Sequence, residues 1–112
     1  MQKSDKALLS KIYTDTQDIS EFIHGHDKHS FLNNRLVQNA VVMSLLKIGE
    51  RASHLSNEFV ANMTNIPWKQ IVRLRHIAAH EYEALRLEDI WVNVTNRIPE
   101  IQQQIKTILE KD

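Results

Sequence analysis

The sequence predicts an all-α fold, a four-to-five-helix up-down bundle. Three observations lead there. Two glycines and two prolines among 112 residues leave few turning points, which favours long helices over a turn-rich β fold. Apolar residues recur every three or four positions along most of the chain, the spacing of one helix face. Hydrophobic residues at 42% and charged residues at 25% supply enough apolar surface for one core. No composition shift, repeat or linker divides the chain, so residues 1–112 form a single domain.

The first helix is predicted to start with Ser4 or Asp5 as its cap. Leu8, Leu9, Ile12, Ile19, Phe22 and Ile23 mark its apolar face, and it ends near His24-Gly25, where glycine suits a left-handed stop. Gly25–Ser30 reads as a polar connector. The second helix carries Leu32, Leu36, Val37, Ala40, Met43, Leu46 and Ile48, and continues through Gly49-Glu50 to Leu55 or Phe59. Asn62–Ile66 is the next connector. Pro67 fits a first helical turn, where its missing N–H costs nothing. The third helix runs from Trp68 through Ile71, Leu74 and Ile77 toward Tyr82, and Glu83–Leu87 reads as a loop around Arg86. The last helical region, Glu88–Ile108, should be kinked or split at Pro99.

Lys plus Arg and Asp plus Glu number 14 each, so net charge gives no argument for nucleic-acid binding. Any such binding must come from a local patch. The absence of cysteine excludes disulfides and thiolate chemistry. No apolar run approaches the roughly 20 residues of a membrane span, and the segment after Met1 is charged and amphipathic, unlike a signal core. A cytoplasmic protein with no membrane partner is the expectation.

The segment Arg75-His76-Ile77-Ala78-Ala79-His80-Glu81-Tyr82 concentrates the chemistry. Arginine grips phosphate with a planar fork of donors, and histidine moves protons near neutral pH. At about 100° per residue Arg75 and Tyr82 share a face, as do His76 and His80. Arg75 and His80, five apart, diverge by about 140° on an ideal helix. They converge on one phosphate only if the helix ends or distorts near Ala79, or if a second copy of the chain supplies half the site. RNA brings its own nucleophile, the 2′-hydroxyl. His80 suits the base that removes its proton, and Arg75 suits the cation that steadies the phosphoryl oxygens, with no metal or cofactor required. Arg73, seven before His80, would support RNA phosphate contacts.

Each of these residues has a plainer reading. Arg75 could be a surface arginine paired with Glu81 or Glu83, His80 a histidine favoured by the helix dipole, and Tyr82 a half-buried tyrosine. His76 and His80 have metal-ligand spacing, but no third ligand is evident nearby. His24, His26 and His29 read as solvated loop histidines, with adventitious metal binding as the alternative. Trp68 and Trp91 sit in apolar patterns and read as core or interface anchors.

The whole series resembles the HepT-like toxins of the HEPN ribonuclease superfamily. Ile48-Gly49-Glu50-Arg51-Ala52 is similar to the family's IGEAA segment, and Ile66-Pro67-Trp68-Lys69-Gln70-Ile71 to its IPW lead-in. Arg75, His80 and Tyr82 fall on its R-x4-H-x-Y motif, and Asp89-Ile90-Trp91 with Ile98-Pro99 on its closing helix. The resemblance implies a homodimer with a composite cleft and a metal-independent endoribonuclease in which Arg75 and His80 are catalytic. It also implies an MntA-type minimal nucleotidyltransferase antitoxin, which silences the toxin by AMPylation of the motif tyrosine, here Tyr82. Two departures stand out. His76 occupies a position that is usually asparagine or aspartate, where it reads as a helper that orients or binds phosphate, and Arg51 replaces the usual alanine. The neutral charge and His76 also admit a rival from another class: a non-catalytic dimeric binding partner of the nucleotidyltransferase.

Overall fold

The computed structural model describes residues 1–81 and 87–111, and of His80 and Glu81 the backbone alone. Helix α1 spans Lys3–Ile23, with Leu9, Ile12, Thr16 and Ile19 forming its buried stripe. Its N-cap is Gln2, so Ser4 and Asp5 lie inside the first turn. Asp5 is 2% exposed and caps a different place in the chain. Its carboxylate accepts from the backbone N–H of Ser56 at 2.8 Å and from the Ser56 hydroxyl at 2.7 Å. Gly25 follows with φ of 80°, the left-handed stop read from the sequence.

The connector Gly25–Ser30 is shorter than predicted, because α2, Lys28–Leu32, begins inside it. A capping box starts that helix: the Asp27 carboxylate accepts from Ser30 N–H at 2.8 Å, and the Ser30 hydroxyl accepts from Asp27 N–H at 3.0 Å. The long second helix predicted from Leu32 is interrupted twice. Helix α3 covers Arg35–Ala52 and α4 covers Asn57–Asn62. Asn34 caps α3 through Val37 N–H at 3.0 Å, and Ser56 caps α4 through Phe59 N–H at 3.2 Å. Side chains that satisfy the free amides make both interruptions inexpensive.

Helix α5, Trp68–His76, begins one residue after its N-cap Pro67. It gives way to a π-helical turn over Ile77–Glu81. Helix α6 is Leu87–Val92, so Leu87 is helical where a loop was predicted. The remainder of that loop, with Tyr82 and Arg86, lies outside the described residues. A second π-helical turn, Asn93–Arg97, leads into α7, Ile98–Lys111, with Pro99 as its second residue. Pro99 has no N–H to offer the carbonyl four residues back, and the last helical region is split beside it as predicted.

Among the described residues all regular structure is helical. The core joins Leu9, Ile12 and Ile19 of α1, Val41, Leu45 and Ile48 of α3, Ile71 and Leu74 of α5, and Ile101 and Ile105 of α7. Each is at most 2% exposed, and burying such a side chain contributes roughly 1.5–3 kcal/mol. Helix α3 packs between α1 and α5, while α7 closes on α1. Arg51 meets Asp15 and Ser56 meets Asp5, so α1 and the chain from α3 into α4 run antiparallel. Trp68 is buried beside Phe59, ring centroids 5.6 Å apart, and Trp91 packs on Phe31 at 5.1 Å; both tryptophans are the anchors expected.

Candidate active site

The geometry of the site begins at a glycine. Gly49 lies in α3 where α5 crosses it. A Cβ at Gly49 would collide with the backbone nitrogen of Arg75, stand 2.8 Å from its Cβ and 2.9 Å from the carbonyl oxygen of Val72. Only a residue without a side chain lets α5 come this close, and the closeness sets the origin of the Arg75 side chain against α3.

From there the guanidinium reaches the last turn of α3. Arg75 Nη1 donates to Glu50 Oε2 at 3.0 Å and to the Ser53 hydroxyl at 3.2 Å. Ser53 in turn donates to the Glu50 carbonyl at 2.6 Å. On the other carboxylate oxygen, Oε1 of Glu50 accepts from His54 Nε2 at 3.0 Å. One carboxylate thus holds an arginine and a histidine side by side. These bonds, the one from His54 first and the one from Arg75 second, keep the Glu50 carboxyl below its ordinary range. The group remains open: Arg75 is 44% exposed, Glu50 54% and His54 65%.

Arg51, the next residue, turns the opposite way. Its Nη1 donates to Asp15 Oδ2 at 2.6 Å and to the carbonyl of Lys11, which makes it a strut between α3 and α1. Burial pushes the Asp15 carboxyl up, and the bond and charge of Arg51 pull it back only in part.

The other predicted side chains are distributed differently. Arg73 and His76 are exposed, and with Lys69 they make a basic stripe at helical spacing along α5. That helix holds Lys69, Arg73, Arg75 and His76 and no acidic residue, a local patch in a chain of zero net charge. The structure does not bring Arg73 to the Arg75–Glu50 cluster, since residues two apart point about 160° apart on a helix. His80 falls in the π-helical turn that begins two residues after Arg75. A helix end or distortion near Ala79 was one of two routes by which Arg75 and His80 could converge, a second copy of the chain being the other, and the helix does distort there. A π turn bonds residue i to i+5 and takes more residues per revolution than an α-helix, which narrows the angle between Arg75 and His80. Among the described residues no group of three or more His, Cys, Asp or Glu side chains is placed to hold a metal ion. Neither His54 nor the Glu50–Arg75 pair was predicted from the sequence. The available signal was the i, i+4 spacing of Glu50 and His54, directly after the glycine.

The arginine–histidine motif of this helical bundle thus sits at a helix-to-π junction, on a basic helix. Residues 12–108 match the family described as ribonuclease HepT-like, and the chain belongs to that family. "Putative RNase MJ1380" of Methanocaldococcus jannaschii is 33% identical over 109 residues, covering 96% of this chain and 100% of that one. "Putative RNase MJ0127" of the same organism is 35% identical over 117 residues, covering 100% and 97%. "Probable ribonuclease HepT" of Thermococcus cleftensis is 28% identical over 108 residues, covering 96% and 98%. No solved structure matches the chain. No helix among the described residues is long and apolar enough to cross a membrane.

Proposed function

We propose that this ribonuclease is a metal-independent endoribonuclease toxin, with Arg75 and His80 as its catalytic pair. The observation that carries the reading is the seating of Arg75. It is fixed over Gly49 by Glu50 and Ser53 and is followed at once by the π-helical turn that contains His80. Among the described residues Glu50 and Ser53 engage Nη1 alone, and a guanidinium carries five N–H donors in all. The Nη2 and Nε side of the fork serves the phosphate, where it steadies the charge that builds on the phosphoryl oxygens.

In the reaction, His80 takes the proton of the RNA 2′-hydroxyl, O2′ bonds to the adjacent phosphorus, and the bond from phosphorus to O5′ breaks. A 2′,3′-cyclic phosphate and a 5′-hydroxyl result. DNA lacks the nucleophile and is spared. Lys69, Arg73 and His76 lie along the flanking stripe and hold neighbouring phosphates of the strand.

The same reading includes two partners. A second copy of the chain completes the cleft, since Arg75 and the rest of its cluster open to solvent in one chain. An MntA-type nucleotidyltransferase antitoxin neutralises the toxin by placing AMP on Tyr82. Phosphates seven residues from Arg75 would exclude an RNA phosphate by charge and volume. The test is cleavage of total RNA in EDTA by the parent, Arg75→Ala and His80→Ala. Cutting by the parent alone is expected. If either variant cuts as well as the parent, the catalytic pair is misassigned.

A further inference from the structure

Cleavage by His80 and Arg75 alone leaves one proton unassigned. O5′ departs as an alkoxide unless an acid protonates it, and a base alone covers half the proton traffic. We infer that His54, oriented by Glu50, is the general acid that protonates the departing 5′-oxygen.

The juxtaposition rests on the two oxygens of one carboxylate. Oε2 accepts from Arg75 and Oε1 from His54, both at 3.0 Å, so the guanidinium and the imidazole flank the same group. Arg75 and His54 are therefore held one carboxylate apart, within the reach of a single strand. The bond to Glu50 is made by Nε2, which fixes Nε2 as the protonated nitrogen of the neutral ring and points Nδ1 away from the carboxylate. In the imidazolium form Nδ1 carries the transferable proton. The turn that ends α3 holds the pair at i, i+4, and Ser53 and Gly49 lock the same region to α5. At 65% exposure the ring is open to a strand lying across the site. Among the described residues Glu50 is the side-chain partner of His54, and a pair this exposed has little value as a structural tie.

The step balances. His80 takes the O2′ proton while the O2′–P bond forms. The P–O5′ bond breaks, its electron pair stays on O5′, and the proton from His54 Nδ1 joins it. Neutral His54 keeps its Nε2 proton on Glu50 and is reloaded from water. Glu50 is a positioning residue in this step.

The proposal rests on the endoribonuclease reading above, and leaving-group chemistry separates the two. An RNA oligonucleotide that the parent cuts at one mapped linkage is compared with the same strand carrying a 5′-bridging sulfur there. A thiol ionises near pH 8.5 and leaves without a proton. His54→Gln should slow the oxygen substrate by about 10²-fold or more and the sulfur substrate far less. Glu50→Gln should show a smaller slowing with the same selectivity, which a purely structural role would not produce. His80→Ala should slow both substrates alike. Equal slowing of both substrates by His54→Gln, or no slowing of either, overturns the role of His54. If His80→Ala cuts both like the parent while His54→Gln stays selective, the catalytic pair is misassigned and the acid stands. A parent that cuts neither substrate overturns both.

Discussion

Glu50 and Arg51 adjoin in the chain, and each makes a carboxylate–guanidinium bond to another helix, in opposite surroundings. Arg51 meets Asp15 at 2.6 Å, and the side chains are 30% and 4% exposed. Glu50 meets Arg75 at 3.0 Å, with 54% and 44% exposure. Water decides what each bond is worth. The inner pair has lost much of its solvation, so removing one partner strands a charge. The outer pair is screened and contributes little to folding. A bond that does not hold the fold together is available to aim a side chain, and this one aims Arg75.

The strongest way to break the comparison is Arg51→Ala. It leaves the Asp15 carboxylate buried without its cation and should cost about 2–3 kcal/mol at neutral pH, below the full buried-pair range because Arg51 is partly exposed. Urea denaturation would measure it, and RNA cleavage per folded molecule should hold. Gly49→Ala comes next. Its methyl group meets the backbone of Arg75, so about 1–3 kcal/mol of overpacking should appear in thermal unfolding, together with loss of cleavage as α5 moves off α3.

A pH series sharpens the inner half. The folded Asp15 carboxyl sits above its ordinary value, so between the unfolded and folded values the folded chain binds more protons. Its contribution to stability is fully present below the unfolded value and falls as pH rises through the folded one. Asp15→Asn should remove that slope from denaturation midpoints, and the penalty of Arg51→Ala should shrink in acid. The smallest stability effect belongs to Glu50→Gln, where the midpoint should not move while cleavage falls. A midpoint drop as large as that of Arg51→Ala would erase the distinction between the pairs.

Much of this arrangement was legible in the sequence. Apolar spacing located α1, α3, α5 and α7, Gly25 marked the stop of α1, and Pro99 marked the split before α7. The break at Asn33-Asn34 was hidden because Leu32 and Leu36 keep an i, i+4 spacing across it. Asp5 looked like a helix cap, but its partner is 51 residues away, and no local pattern reports such a bond. In the site, residue spacing alone showed that a straight helix would part Arg75 from His80, and it left a distortion near Ala79 or a second copy of the chain to reunite them. Its contact with Glu50 was not, because the closeness depends on a missing Cβ on a different helix. The basic stripe was masked by the zero net charge, since acidic residues elsewhere cancel it in any sum over the chain.

The π-helical turn at Ile77–Glu81 acts as a slack link. It spends more residues per revolution than the α-helix feeding it, so it takes up one extra residue at little change of angular phase. Deleting Ala79, whose exposed methyl group leaves the core untouched, would let the helix run on in α register. The backbone at the motif histidine would then keep nearly the phase the wild-type chain gives it, because four α residues turn about as far as five π residues. The turn thus absorbs a one-residue change of length without passing it on to the helical frame.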